Sequence, residues 1–283
     1  ATLLGQASSP PEVTYLVGEA ALQLGDVYQA RDLARAARAR DSSLPATWLL
    51  QAEACLDLGN DPEAERALRQ ASSARLEGVQ ERARLAALQA RLALVRRRLP
   101  QAERDARAAL ALDLSSKPAR MVLAAVELRT QRTSEGKARL EQLAQERFPA
   151  ALRTRSKHLF AAGEVPRAIE DLQLAATLQP FFVPGQIRLA TLLRESNQSE
   201  KSRQALRRLL AAEHGLSGQR WRGIQLVKAG FFTEALGDLE AVHGQRPEDY
   251  TTAFSLGVAL AATGQRQRAQ GLLQLALQRV AQA

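Results

Sequence analysis

The chain has 283 residues, 46% of them hydrophobic but only 4% aromatic. Ala and Leu dominate, which favours helix over strand. A single cysteine (Cys55) and three histidines (His158, His214, His243) exclude a disulfide framework and leave little material for a Cys-rich metal site or for acid–base chemistry. The net charge is +9, from 39 basic and 30 acidic residues, and only five of the basic residues are Lys. The resulting 34 arginines point to a GC-rich, bacterial coding bias and permit attraction to acidic proteins, nucleic acid or anionic surfaces without choosing among them.

The elements recur in chain order as helix pairs broken by short turns near 25, 59, 97, 131, 163, 197, 230 and 264. Residues 1–10 read as an N-terminal extension; residues 11–283 read as one domain of eight units, at 11–44, 45–82, 83–116, 117–148, 149–182, 183–215, 216–249 and 250–283. Seven residues before each turn stands Gly18, Ala52, Ala90, Ala124, Ser156, Ala190, Gly223 or Gly257. Five residues after it stands Ala30, Ala64, Ala102, Gly136, Ala168, Ser202, Ala235 or Ala269. Two helices can cross closely only where both side chains are small, so these positions mark eight crossings.

The next shell is Leu68, Leu140, Leu172, Leu206, Leu239 and Leu273, with Ala34 and Ala106 as smaller exceptions where looser packing is expected. Pro62, Pro100 and Pro166 fall in the opening turn of second helices, with Asp61 as an N-cap, and all eleven prolines avoid helix interiors. The spacing lengthens by four between the second and third turns, around Ser72–Glu81, predicting a longer second helix or a longer loop there. Units four and six lack Gly at the turn and carry Leu143 and Leu209, so their helix pairing is expected to deviate.

This pattern resembles the tetratricopeptide repeat (TPR) family over nearly the whole chain. The second unit (Trp48, Ala52, Gly59, Ala64, Ala71), the fifth (Gly163, Ala168, Ala175, Pro180) and the eighth (Leu256, Gly257, Gly264, Ala269, Ala276) match it best. The resemblance implies an all-α fold, a right-handed α-α superhelix of about sixteen antiparallel helices. It also implies a non-enzymatic scaffold that holds a protein or peptide partner on a concave face lined by the first helices. No P-loop, H-E-x-x-H, C-x-x-C or G-x-S-x-G motif stands against that reading, and neither a catalytic residue, a metal site nor a cofactor is expected. Cys55 reads as a buried inert thiol, and Trp48 and Trp221 as interhelix packing.

Carried over residue by residue, the family's inner positions give Glu12, Glu19, Glu53 and Asp57 in units one and two. Units three to seven then give Arg84, Arg91, Arg129, Arg153, Lys157, Arg188, Arg194, Arg220 and Lys228, against Glu195. The expected groove is therefore acidic at its entrance and basic beyond, and suits an acidic partner. Tyr15, Leu49, Met121, Phe160, Ile187, Ile224 and Phe254 are its apolar members. The family's carboxylate-clamp pattern for chaperone tails is not met by Tyr15/Glu19 or Leu49/Glu53. Nucleic acid is disfavoured because stacking aromatics are not interleaved with the basic positions.

The last helix carries Leu272, Leu273, Ala276 and Val280 on one stripe, with Leu275 and Leu277 beside it, an expected surface for self-association or further sequence. No apolar run reaches the length of a membrane-spanning helix. The chain opens on Ala1 without Met, so any leader is already absent and the compartment stands open between cytoplasm and bacterial periplasm. Within that frame the scaffold's setting is assembly of an envelope, secretion or pilus-type complex, with an anionic-polymer binder or the regulatory arm of a larger protein as the alternatives.

Overall fold

A computed structural model describes residues 10–41, 44–74, 76–212 and 215–280, the side chains of 279 and 280 excepted. The N-terminal extension up to residue 9, His214 and the Val280 side chain lie outside the described residues. Among those described there are sixteen α-helices and no strand: α1 Pro11–Gln23, α2 Val27–Arg40, α3 Ala46–Asp57, α4 Asp61–Ser73, α5 Val79–Val95, α6 Leu99–Leu112, α7 Lys117–Glu127, α8 Thr133–Gln145, α9 Pro149–Ala161, α10 Val165–Leu178, α11 Val183–Glu195, α12 Ser199–Leu210, α13 Leu216–Lys228, α14 Phe232–Gln245, α15 Tyr250–Ala262 and α16 Arg266–Val280. Consecutive helices pair as hairpins. The fold class is all-α, a solenoid of antiparallel helix pairs. The chain forms two compact units, Ala1–Gln179 and Pro180–Ala283, each described by itself below.

The small residues sit where the helices cross. Ala30, Ala52, Ala64, Ala90, Ala102, Ala124, Ala168, Ala190 and Ala235 are all fully buried. Within two hairpins the crossing is sealed by a hydroxyl: Ser156 Oγ donates to Ala168 O at 2.9 Å and Ser202 Oγ donates to Ala190 O at 2.7 Å. Leu68, Leu140, Leu172, Leu206 and Leu239 then fill the core, and Ala34 and Ala106 are themselves fully buried.

Seven of the eight hairpin turns hold a residue in the left-handed region: Gly25, Gly59, Arg97, Gly163, Asn197, Gly230 and Gly264. In each, the following N–H reaches back five residues, as Asn60 N does to Cys55 O at 2.8 Å and Gln198 N to Leu193 O at 2.8 Å, closing a Schellman-type C-cap. Asn197 therefore does in unit six what Gly does elsewhere. Unit four does deviate. Its first helix, α7, stops at Glu127 and is the shortest at 11 residues, and Gln131 is not left-handed. The left-handed residue appears instead after α8, at Arg147.

Two expectations need correction. The four extra residues between the second and third turns lengthen neither α4 nor the loop; they add a turn to the start of α5, which runs for 17 residues from the N-cap Gly78. The N-cap of α4 is Asn60, whose side chain accepts from Glu63 N at 3.3 Å, with Asp61 and Pro62 opening the helix. On α16, Ala276 is buried and Leu277 is 67% exposed. No helix among the described residues is long and apolar enough to cross a membrane.

Candidate functional site

In the first unit, α1, α3, α5 and α7 lie side by side, each touching the next, so the repeat's inner positions face a common space. A cavity there has a volume of about 700 Å³. Helices α1, α3 and α5 supply one wall, and the starts of α7 and α9 with the end of α10 supply the other. Of the fourteen charged groove residues expected from the sequence, six line it: Glu19, Glu53, Asp57, Arg84, Arg91 and Arg153. Lys157 is exposed on α9 outside it. Arg188, Arg194, Arg220 and Lys228 belong to the second unit.

The acidic and basic zones expected to be separate are interlocked at the α1/α3 end. Arg84, on the first turns of α5, donates through Nη1 to Glu19 Oε1 at 2.6 Å and through Nε and Nη2 to Glu53 Oε2 at 3.0 and 2.7 Å. It thus reaches the next repeat and the one beyond. Burial works against the Arg84 charge, but Glu53 and Glu19 outweigh it and hold the guanidinium above its ordinary value. Tyr15 beside this group is pushed up to about 12, by burial first and then by the Glu19 charge. Equivalent inner positions of successive repeats are close neighbours, so opposite charges there pair across repeats.

The far end is different. Arg91 Nη2 donates to Asp57 Oδ1 at 2.5 Å, and Arg153 Nη1 donates to the neutral Gln179 Oε1 at 2.7 Å. Burial, reinforced by the Arg91 charge and countered by Asp57, pulls Arg153 down to about 10, still protonated at neutral pH. Lys117, Arg147, Asp113 and Ser116 also line this end. Inner-position reasoning missed them because they stand at helix starts and in loops; proximity to the first turns of α7 and α9 was the available signal.

In the second unit, the expected groove arginines are engaged with their own scaffold. Arg194 stacks on Phe231, 4.2 Å from the ring centroid, and donates to Ala229 O at 3.0 Å, capping the end of α13. Arg220 pairs with Asp249 through Nε and Nη2. Burial would raise Asp249, but hydrogen bonds from Arg220 and Thr252 prevail and hold it at about 2. Lys228 is exposed.

Of the apolar groove members, Leu49 and Ile187 are buried and present no surface to a ligand, while Met121 is partly buried against the core around Leu143 and Leu152. Phe160 and Phe254 are 37% and 52% exposed. Cys55 is fully buried and pushed up to about 12 by burial and by the Glu63 charge, an inert thiol. Trp48 packs against the Leu49–Leu68 core with the Arg38 guanidinium 3.8 Å over its ring.

Stacked helix hairpins with small residues at every crossing and left-handed turn caps define an α-solenoid repeat protein. A tetratricopeptide-repeat model matches residues 15–75 and 222–283, so the hairpins in those two stretches are similar to tetratricopeptide repeats. No curated protein matches the chain in sequence. Among solved structures, a human IFIT1 dimer with m7Gppp-AAAA is 16% identical, with 96% of this chain and 72% of that one covered and a TM-score of 0.53. A monomeric IFIT1 mutant with the same capped RNA is 16% identical over 95% and 72% of the two chains, with a TM-score of 0.51. These likenesses are likenesses of fold, and no enzyme family is indicated.

Proposed function

We propose that this chain is a non-enzymatic scaffold that binds a protein or peptide partner on the face of its first helices, in assembly of a bacterial envelope, secretion or pilus-type complex. The carrying observation is the cavity of about 700 Å³ lined by charged side chains of five successive repeats. A rigid stack that presents side chains from consecutive first helices suits an extended or helical segment, reading it by alternating contacts. Cys55 is protonated and buried, so it offers no nucleophile on that face.

The test is affinity capture with the wild-type chain and with Arg153→Glu/Lys157→Glu. The variant is expected to lose the partners that the wild type retains while its far-UV circular dichroism is unchanged. Equal capture by both would remove this face as the binding surface.

The charge of +9 favours a second reading, an anionic polymer on the same face. Binding of single-stranded oligonucleotide or acidic polysaccharide that falls steeply with salt would support it, and binding indifferent to salt would end it.

A further inference from the structure

The joints between repeats show what α1 lacks. Where α7 stacks on the pair before it, Ala119, Val122 and Val126 are buried in apolar clusters that include Ala106 and Leu110 of α6. The equivalent face of α3, Thr47, Leu50 and Ala54, is fully buried, with Leu50 lying over Gly18 of α1. On α1 itself that face is Val13, Leu16 and Ala20, and all three are exposed, Val13 by 45% and Leu16 by 61%.

Helix α16 has the reverse lack. Among the described residues no first helix follows it, and Leu273 and Leu277 stand where Ala106 and Leu110 stand on α6. Leu273 is half-buried and Leu277 is exposed. The end of a helical array normally turns a polar face to water. Here both end helices turn leucine to it.

We propose that α16 of one copy of this chain docks on α1 of the next, in the register that joins α6 to α7, so that the protein associates with itself head to tail. This goes beyond the groove reading and does not depend on it. Register identifies the occupant: a face shaped for a second helix meets a second helix whose own outer face is unfilled. Charge agrees. α1 carries Glu12 and Glu19 and no basic residue, whereas the described side chains of α16 include Arg266 and Arg268 and no acid. Pairing α1 with α1, or α16 with α16, sets like charges together; α16 on α1 sets opposite ones together.

A finer match lies in the two positions that face each other across a joint. They hold Arg35 and Glu63 in the first unit, and Glu240 and Arg268 in the second, and both pairs are closed. At the α16–α1 joint the same positions hold Gln274 and Gln29, two amides that hydrogen-bond to each other with no charge to repel. The two faces differ, so the contact is heterologous, and every copy carries both halves of it.

Sedimentation velocity of the full chain over a wide range of concentration is the first measurement. The average sedimentation coefficient is expected to rise with concentration. Leu16→Glu and Leu277→Glu each put a charge where a leucine would be buried, and each should weaken association by about a hundredfold or more. Mixed in equal amounts, the two variants should regain one joint, between the intact α16 of the first and the intact α1 of the second. The product is a dimer that grows no further, and its formation also shows that both variants are folded. Leu114→Glu, at a site 85% exposed between α6 and α7, should associate as wild type does.

A wild-type chain that stays monomeric throughout overturns the proposal, whether residues 1–9 cover α1 or its face stays wet. Association that survives Leu16→Glu means that α16 pairs with α16, and association that survives Leu277→Glu means that α1 pairs with α1. Either result overturns it, as does a mixture that stays monomeric while both variants keep wild-type helicity by circular dichroism.

Discussion

Gly136 on α8 is held against backbone. A methyl carbon placed there would stand 2.8 Å from Leu128 N and 2.9 Å from Ala124 O, neither of which can rotate away. Gly18, Gly223 and Gly257 are also tight, but their nearest neighbours are the tips of Leu50, Leu239 and Leu273, which can shift. Gly237, inside α14, has nothing within 4 Å of the same position. Gly136→Ala is therefore expected to destabilise by about 2 kcal/mol through overpacking. Gly237→Ala should stabilise by about 0.5–1 kcal/mol by removing backbone freedom from the unfolded chain. Urea melts followed at 222 nm check both, and a Gly136→Ala variant as stable as wild type would refute the close-crossing account. The need for small residues at the crossings was legible in the sequence because steric contact leaves few alternatives. Which glycine faces backbone and which faces a movable leucine was not, since that depends on where α7 ends.

At the scale of the element, seven of the eight hairpins are helix pairs closed by one left-handed residue, and two of these also hold an ion pair in the same register. Arg155 pairs with Asp171, and Arg222 with Asp238, sixteen residues apart in both cases. Arg222 is the deeper: Nε and Nη2 meet Asp238 at 2.6 and 2.7 Å, and Nη1 also donates to Leu209 O at 2.7 Å and Ala212 O at 3.0 Å. It therefore ties α13 to α14 and to the end of α12. Arg222→Leu leaves Asp238 ionised, buried and alone, and should cost about 3–5 kcal/mol. Adding Asp238→Leu removes that lone charge and should recover most of the loss, short of about 1–3 kcal/mol for the carbonyls still lacking their donor. A double-mutant cycle in urea measures this, and additive losses would show that the pair is not coupled. The hairpin boundaries could be read from glycine and proline, whose backbone limits act locally. These pairs could not, because an isolated charged residue in a helix reads as a solvated one until its partner's depth is known.

For the molecule as a whole, the arginine excess that suggested an anionic partner is partly internal hardware. Arg35–Glu63, Arg84–Glu53, Arg91–Asp57, Arg96–Glu65 and Arg132–Glu103 each join neighbouring repeats of the first unit, Arg268–Glu240 does so in the second, and Arg120–Glu146 and Arg220–Asp249 each lie within one repeat. Composition counts charges but not their pairing, so +9 could not separate fasteners from ligand-binding groups. Each partly exposed pair is worth no more than about 1 kcal/mol, so the cohesion of a unit comes chiefly from its stacked hairpins. The second unit has three of these, α11/α12, α13/α14 and α15/α16, joined by α11–α13, α13–α15 and α14–α15 contacts. Three hairpins are about the least that buries a continuous core in such arrays. Residues 180–283 expressed alone should therefore be strongly helical and unfold cooperatively in urea. In the full chain, Arg222→Leu should then shift one portion of the unfolding curve and spare the rest, because nearest-neighbour stability does not oblige both units to melt together. A fragment without a cooperative transition, or a full-length curve displaced uniformly by Arg222→Leu, would mean that the two units are one thermodynamic body.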